Sequence, residues 1–454
     1  MRSSKAETHS RVHALPEIRF DDQRLTSCSG LAVFQSHFQA LVLRDRLRSC
    51  FSCANSGGTY GMHTIFLLLV VHILIGYRKL RDTEYYKDDP MALRVLGLHR
   101  LPEVSTISRA LASCDEASCR AIDAEIASQV VDRLAEAGLS RVTLDFDGSV
   151  CGTRRQAEGT AVGYNTRRKG ERSYYPLICS VAQTGQVLGF LQRPGNVHDS
   201  HDSQDFMVEC FATVIGKLPR ANLESRLDSA HFSEETASLL DRLGVEFTIA
   251  VPFLRLPALK EQVENRKRWS RIDSTWSYFE LDWAPKSWIS KFRFVVVRQR
   301  VPERRRGPLQ LDLFEPKTWK YDYKVVMTSK TVSAGAVLRF HHGRGSQEGI
   351  LGELKADSQF DYIPVQHKLG NRLFCQAAVM AHNLSRDLQI TTMEMERATT
   401  PTRATHWVFE KLSTLRNRII RRAGRLTRPN GTLVLTMSAN PAAQKDILRY
   451  LEAS

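Results

Sequence analysis

Near residue 139 the spacing of apolar residues changes, and this change divides the sequence into a helical part and a part that contains strands. Before it, over residues 28–138, apolar residues recur every three or four positions, as on the buried face of an amphipathic helix. After it, the stretch from Arg141 to Val150 (RVTLDFDGSV) alternates in steps of two, as in a half-buried strand. The pattern therefore predicts a helical domain followed by an α/β domain.

The order of the elements after residue 139 predicts the fold class. Three alternating stretches, the last two joined by the turn residues Thr184 and Gly185, predict an antiparallel meander. A helical stretch, the strand NLESRLDS, a second helix and the strand EFTIAVPF follow. Strand-strand-strand-helix-strand-helix-strand is the order of an RNase H-like α/β domain, so we expect an RNase H-like catalytic core with a mixed five-stranded sheet flanked by helices.

The same patterns predict six segments along the chain. They are a flexible tail (1–27), a helical N-terminal DNA-binding domain (28–138), the first part of the core (139–254), a β-rich insertion (255–335), the second part of the core (336–395) and a basic C-terminal region (396–454). Two short helices around a turn in the N-terminal domain fit a helix-turn-helix and an ordinary helical hairpin equally well.

One apolar stretch, from Ile65 to Ile75, resembles part of a membrane span. It is much shorter than the roughly 20 residues that a span requires, and the charged sequence GYRKLRD follows it directly. We therefore predict a buried core helix and no membrane partner.

Charge points to a polyanionic partner. The chain has 64 Lys and Arg against 49 Asp and Glu, a net charge of +15, and residues 401–454 alone carry ten basic and three acidic side chains. Such a balance favours nucleic acid, although a soluble basic enzyme with a solvated face fits too. The nine cysteines are scattered and odd in number, which favours a reducing cytoplasm. Cys50 and Cys53 form a lone CxxC pair, and we expect thiols there rather than a zinc site.

Acidic residues stand at the ends of two predicted strands. Alternation places Thr143, Asp145 and Asp147 on one face of their strand, while Asp228 closes the strand NLESRLDS. Ligands gather at strand ends in α/β folds, although a single Asp in such a place often only caps a turn.

A third acidic residue lies in the stretch FHHGRGSQEGILGELK. His341, Arg344, Glu348 and Lys355 would form one stripe on a helix, with a carboxylate for a divalent cation and cationic groups for phosphates. A solvated salt-bridge ladder is the alternative interpretation. The stretch also contains four glycines, which are poor helix formers unless a close approach to DNA or another element requires them: Gly343, Gly345, Gly349 and Gly352.

Carboxylates at these positions suit phosphodiester cleavage. Charge builds up on the attacking and leaving oxygens, and two Mg²⁺ ions about 3.5–4 Å apart stabilise both. Mg²⁺ prefers oxygen ligands. The sequence contains no P-loop and no nucleophile-elbow motif.

Taken together, these residues resemble the DDE transposases of bacterial insertion sequences. The chain is similar to the superfamily with a Tyr-x2-Arg-x3-Glu-x6-Lys signature, and within it to insertion-sequence group thirteen-eighty. The resemblance covers about residues 28–435 and is carried by GYRKLRDTEYYKDDP, LDFDGSV, GYNTRRKGERSYYPL, RPGNVHDS and RLDSAHFS.

The resemblance implies a site and a reaction. Its catalytic, metal-binding residues would be Asp147, Asp228 and Glu348, with Asp145 as a fallback for the first, and they would hold two Mg²⁺ (or Mn²⁺) ions. Arg344 and Lys355 match the signature, His341 replaces its Tyr, and all three would contact the phosphates of the DNA ends. The expected reaction is cut-and-paste transposition.

Further DNA contacts are expected from charge and from aromatic side chains. The basic candidates are Arg304, Arg305, Arg306, Arg418, Arg421, Arg422 and Arg425. The candidates for stacking on a flipped base are Trp276, Trp283 and Trp288, with core packing as the alternative for each. The expected partners are double-stranded DNA (terminal inverted repeats and target) and a second copy of the chain in a synaptic complex, with no small-molecule substrate. Two alternatives stay open, namely an inactive transposase-derived DNA-binding protein and an RNase H-fold nuclease or resolvase.

Overall fold

The computed structural model describes residues 15–52, 59–163, 165, 168–197, 202–300, 321–396 and 402–453. The predicted DNA contacts Arg304, Arg305 and Arg306 and the second cysteine of the CxxC pair, Cys53, lie outside these residues.

The N-terminal part is helical, as predicted. Its helices are α1 (Leu31–Ala40), α2 (Leu43–Cys50), α3 (Met62–Ile75), α4 (Pro90–Leu96), α5 (Val104–Ala112) and α6 (Glu116–Glu136), with a 3₁₀ turn at Leu80–Tyr85. Every side chain of the apolar run in α3 is buried, which confirms a core helix. Gly76 ends α3 in the left-handed conformation (φ +104°), which only glycine adopts without strain. None of the helices that the structure describes is long and apolar enough for a membrane span.

A large mixed sheet forms the centre of the following part. Its strands, in spatial order, are β10 (Ser270–Arg271), β11 (Trp276–Trp283), β12 (Phe292–Arg300), β13 (Tyr321–Thr328), β9 (Glu246–Ala250), β8 (Asn222–Leu227), β2 (Arg141–Gly148), β6 (Leu177–Val181) and β7 (Val187–Leu191). Strands β2, β8 and β9 are parallel, whereas β2, β6 and β7 form the predicted antiparallel meander.

The prediction of five strands was wrong in number, because the sheet has nine strands within the described residues. Five of them are the predicted core strands. The remaining four come from residues 270–328, where Val326 of β13 pairs with Ala250 at the edge of β9. An edge strand presents unpaired backbone N–H and C=O groups, and the added strands satisfy them. The predicted β-rich insertion thus continues the central sheet.

Other elements flank the sheet. The further helices are α7 (Ser203–Lys217), α8 (Glu234–Arg242), α9 (Pro257–Glu264), α10 (Ala334–His342), α11 (Gly345–Ala356), α12 (Lys368–Thr392), α13 (Leu412–Leu415) and α14 (Pro441–Glu452), with short turns of helix at Ser229–His231, Phe253–Arg255, Arg416–Ile420 and Pro429–Gly431. A small sheet is formed by β3 (Cys151–Thr153), β5 (Arg172–Tyr174) and β4 (Ala161–Val162).

The two faces of β2 follow the predicted alternation. Val142, Leu144 and Phe146 belong to a buried cluster that also contains residues of α6, α7 and α8. Thr143 and Asp145 are buried on the opposite face. The long helix α12 packs against α3 and α6 and joins the helical part to the sheet. The polar face of β2 is therefore enclosed by protein except near its carboxyl end, where Asp147 is partly exposed.

The C-terminal region packs onto the N-terminal helices. Strand β1 (Leu25–Thr26), which the sequence placed in a flexible tail, pairs with β14 (Gly424–Thr427), and β15 (Val434–Met437) completes a three-stranded sheet. Arg416 is buried and donates hydrogen bonds to the carbonyls of Leu74 (3.0 Å) and Ile73 (2.7 Å). These carbonyls have no partner within α3 because they lie at its C-terminal end.

Buried histidines make the stability of the fold depend on pH. Burial lowers the pKa of His72 to about 4 and that of His382 to about 3. The unfolded chain binds a proton at each site below about pH 6.5, whereas the folded protein does not, so stability is lost as pH falls from about 6.5 toward these lower values. Each histidine contributes a slope of about 1 kcal/mol per pH unit in this window.

We expect the free energy of unfolding, measured by urea titration at pH 7, 6 and 5, to decrease as the pH is lowered. The His382→Gln variant retains a donor for the carbonyl of Gly185, to which His382 Nε2 donates at 2.9 Å. Its pH slope is expected to be smaller by about 1 kcal/mol per pH unit. An unchanged slope would show that His382 is not held neutral.

Candidate active site

Two of the predicted acidic residues lie at the same edge of the sheet. Strands β2 and β8 are parallel neighbours, with Asp145 in register with Arg226. Asp147 and Asp228 each lie two residues further along the chain, so both lie at the carboxyl ends of these parallel strands. Asp228 also caps the following turn, where its Oδ1 accepts a hydrogen bond from the backbone N–H of Ala230 at 3.0 Å. The sheet therefore brings these two aspartates together.

Arg344 contacts both aspartates. Its Nη2 atom lies 3.1 Å from Oδ2 of Asp147 and 3.7 Å from Oδ2 of Asp228. The three side chains are 20%, 21% and 31% exposed, respectively, so the pairing is partly exposed to solvent and does not lie in the core. One cationic group between two carboxylates shows that the carboxylates converge on a common point.

The predicted stripe of four residues is interrupted. Helix α10 ends at His342 and α11 begins at Gly345, so His341 and Glu348 lie on different helices and Arg344 lies at the junction between them. The single-helix interpretation was wrong at this junction. Gly343, at this junction, lies too close to the carbonyl of Thr402 and the guanidinium of Arg226 for any side chain to fit.

Glu348 and Lys355 lie on α11. Glu348 is exposed in the first turn of the helix, four residues after Arg344. Lys355 donates to the carbonyl of Val150 at 2.9 Å, which holds α11 against the chain that follows β2. Within the described residues, no three His, Cys, Asp or Glu side chains are close enough to hold a metal ion. The structure thus brings Asp147 and Asp228 together and leaves Glu348 outside their immediate contact.

His341 does not carry charge at neutral pH. Burial, and then the nearby Arg344, lower the pKa of its imidazole to about 3. Its Nδ1 atom lies 3.0 Å from the hydroxyl of Thr248 on β9. The imidazole thus links α10 to the sheet, and its predicted contact with DNA phosphate stays a prediction.

Asp145 is fully engaged elsewhere. Its Oδ1 accepts from Nε of Arg226 at 2.8 Å, and its Oδ2 pairs with Nη2 of the same guanidinium. The two side chains are 1% and 0% exposed. Asp145 is thus buried below the partly exposed Asp147, and its pairing with Arg226 disfavours it as the metal ligand.

The pair Asp147 and Asp228 fits a divalent cation. The donor set consists of carboxylate oxygens, the ligands that Mg²⁺ and Mn²⁺ prefer. These oxygens already face one shared positive charge, the guanidinium of Arg344. A divalent cation between the two carboxylates would likewise supply the positive charge that balances them.

The basic residues predicted in the C-terminal region are largely engaged in internal contacts. Nε of Arg418 lies 3.0 Å from Asp446, and Nη2 of Arg425 lies 2.8 Å from Asp22. Arg421 donates to the carbonyl of Ile75 at 3.1 Å, and Arg422 donates to that of Arg418 at 2.8 Å. Arg421 and Arg425 thus bind the region to α3 and to Asp22, whereas Arg418 and Arg422 make contacts within the C-terminal region itself.

The three tryptophans proposed for base stacking all contact aromatic rings of the protein. The ring centroids of Trp283 and Phe294 are 5.3 Å apart, and those of Trp288 and Phe232 are 5.0 Å apart. Trp276 instead lies 5.3 Å from His342 at the end of α10. All three are partly buried and pack against buried apolar clusters, and Trp276 also adjoins the helix that leads to Arg344.

Sequence reasoning missed three residues around this site. Arg226, Gln347 and the backbone of Thr402 surround the α10–α11 junction. An arginine two residues before a candidate catalytic aspartate was visible in RLDS, but its burial and its position one strand away from Asp145 were not. The register of β2 and β8, which places Arg226 beside Asp145, was not visible in the sequence either.

The family model described as Transposase DDE domain group 1 matches residues 11–453. Among solved structures, the chain is similar to piggyBac transposase in a synaptic complex with hairpin DNA, with 11% identity over 79% of this chain and 74% of that one and a TM-score of 0.38. It is also similar to Mos1 transposase in a paired-end complex with the left transposon end, with 12% identity over 37% of this chain and 56% of that one and a TM-score of 0.18. A search of curated proteins found no match.

Proposed function

The chain belongs to the Transposase DDE domain group 1 family and is a DNA transposase, and from this premise we propose that it cuts DNA at the ends of a transposon and joins those ends to target DNA. The observation that carries the proposal is the convergence of Asp147 and Asp228 on one cation at the edge of the sheet. The family assignment is independent of this geometry, and the geometry fits the chemistry that the family performs.

We propose that Asp147, Asp228 and Glu348 hold two divalent ions, Mg²⁺ or Mn²⁺. When bound, such ions stabilise charge on the attacking and leaving oxygens of the phosphodiester. Asp147 and Asp228 are fixed by their strands, whereas Glu348 lies on the first turn of α11 and is exposed. In this proposal the five core strands and their helices correspond to an RNase H-like core.

Arg344 would bind DNA phosphate once a metal ion neutralises the two aspartates. Its guanidinium offers several donors in a planar fork, which suits a phosphate. Asp147 and Asp228 meanwhile keep it at the edge of the sheet. Lys355 and the basic residues Arg304, Arg305 and Arg306 are further proposed phosphate contacts. Trp276 is the tryptophan that we favour for stacking on a base, because it adjoins α10. Two ends have to be held together, so we propose a dimer on DNA.

The direct test is cleavage of a DNA duplex that carries the terminal inverted repeats of the element. The wild-type protein is expected to nick the end in Mg²⁺ and not in EDTA. The Glu348→Gln variant is expected to bind the same DNA with unchanged affinity and to cleave at least ~10²-fold more slowly, because one metal ligand is lost.

The matched control is Glu235→Gln, an exposed glutamate in the first turn of α8. It is expected to cleave like the wild type. Normal cleavage by Glu348→Gln would contradict the assignment of Glu348. Binding without cleavage by the wild-type protein would instead favour an inactive DNA-binding descendant.

A further inference from the structure

We infer that Asp145 and Arg226 are positioning residues, which together fix the α10–α11 junction over the two proposed catalytic aspartates. The inference rests on the proposed function and assigns a role to two buried charges that the reaction itself does not use. Both side chains are almost completely excluded from solvent.

The pair lies directly beneath the site. Asp145 and Arg226 face each other across β2 and β8, and each precedes a proposed metal ligand by two residues. Side chains two residues apart on a strand lie on the same face, roughly 7 Å apart along it. A displacement of either strand or of the pair would therefore be transmitted to Asp147 and Asp228.

Arg226 also binds the junction itself. Besides its contacts with Asp145, its Nη1 atom donates to the carbonyl of Thr402 at 2.6 Å and approaches that of Phe340 at 3.4 Å. The carbonyl of Phe340 lies in the last turn of α10, where backbone carbonyls lack helical partners and carry partial negative charge. One guanidinium thus connects β2, α10 and the segment that follows α12.

A second contact fixes α11 to the same residue. The side-chain amide of Gln347, which is fully buried, donates to the backbone carbonyl of Asp145 at 2.9 Å. Gln347 lies between Arg344 and Glu348 on the chain. The helix turn that carries these two residues is therefore fastened to β2 at Asp145.

An ordinary role in stability is the competing interpretation, and it differs in its consequences. Breaking a buried ion pair destabilises many proteins wherever the pair lies. Breaking a positioning pair must in addition alter the metal site, because mutation of residues that orient metal ligands typically reduces metal affinity or activity by ~10–100-fold.

The test compares Asp145→Asn with Asp387→Asn. Asp387 is a matched control, since it is a buried aspartate of α12 paired with Nε of Arg133 at 2.6 Å and distant in the chain from the site. For each full-length variant we would measure Tm, Mn²⁺ binding without DNA by isothermal titration calorimetry, and the Mg²⁺ concentration for half-maximal cleavage. Asp145→Asn is expected to weaken Mn²⁺ binding and to raise the Mg²⁺ requirement by about tenfold each. Asp387→Asn is expected to lower Tm and to leave both metal readouts unchanged.

A second variant keeps the test decisive where Asp145→Asn does not fold. Gln347→Met removes a single donor at similar volume, and a threefold or larger rise in the Mg²⁺ requirement is expected. Metal readouts of the folded Asp145 or Gln347 variant that equal those of the wild type would overturn the inference. A wild-type protein that fails to cleave any DNA end would contradict the proposed function instead.

Discussion

An Asp228→Asn variant is expected to bind the transposon-end DNA and to cleave it at least ~10³-fold more slowly than the wild-type protein. Asparagine keeps the shape of the side chain and its role as a cap of the turn at Ala230, so the local backbone is preserved. It removes the negative charge that, with Asp147, faces Arg344. The loss should therefore fall on the reaction and not on folding.

The measurement combines single-turnover cleavage in Mg²⁺ with DNA binding in Ca²⁺, and with Mn²⁺ binding in the absence of DNA. Asp115→Asn is the matched control, because Asp115 also caps an element, accepting from the backbone N–H of Ser118 at 2.7 Å, without belonging to the site. It should cleave like the wild type. Cleavage by Asp228→Asn within tenfold of the wild type would remove Asp228 from the metal site.

The fold was predictable where the pattern of side chains is local. The alternation in RVTLDFDGSV correctly separated the buried face of β2 from the polar face. The eleven apolar residues in α3 correctly indicated a core helix. Strand number was not predictable in the same way, because β13 joins β9 across a separation of more than 70 residues and the alternation of a strand does not name its partner.

The same limit applies to the candidate site, because local spacing does not show which distant residues contact it. Spacing alone placed His341 and Glu348 on one stripe, yet they lie on the separate helices α10 and α11. These helices meet at Gly343, which lies against Thr402 and Arg226, residues far away in the sequence. The choice between Asp145 and Asp147 likewise required knowledge of the neighbouring strand. Two aspartates on one face of a strand look equivalent until Arg226 occupies both oxygens of one of them.

The second large effect is expected from Gly343→Ala, although alanine is the better helix former. The backbone of Gly343 has φ −60° and ψ −17°, values that any residue adopts, so conformation does not require glycine here. The available space does require glycine, because a Cβ atom would lie 1.8 Å from the carbonyl oxygen of Thr402 and 2.2 Å from Nη1 of Arg226. The junction of α10 and α11 would have to move away from the sheet.

That movement should impair catalysis more than folding. Overpacking of this kind costs about 1–3 kcal/mol of stability, whereas a displacement of about 1 Å of reacting groups can slow a reaction ~10²-fold. We expect Gly343→Ala to remain folded with a lowered Tm and to cleave DNA at least ~10²-fold more slowly. Gly216→Ala in α7, where a Cβ would meet nothing within 4 Å, is the control and should match the wild type in cleavage. If Gly343→Ala lowers Tm but cleaves normally, the close packing at this junction stabilises the fold without positioning Arg344 and Glu348.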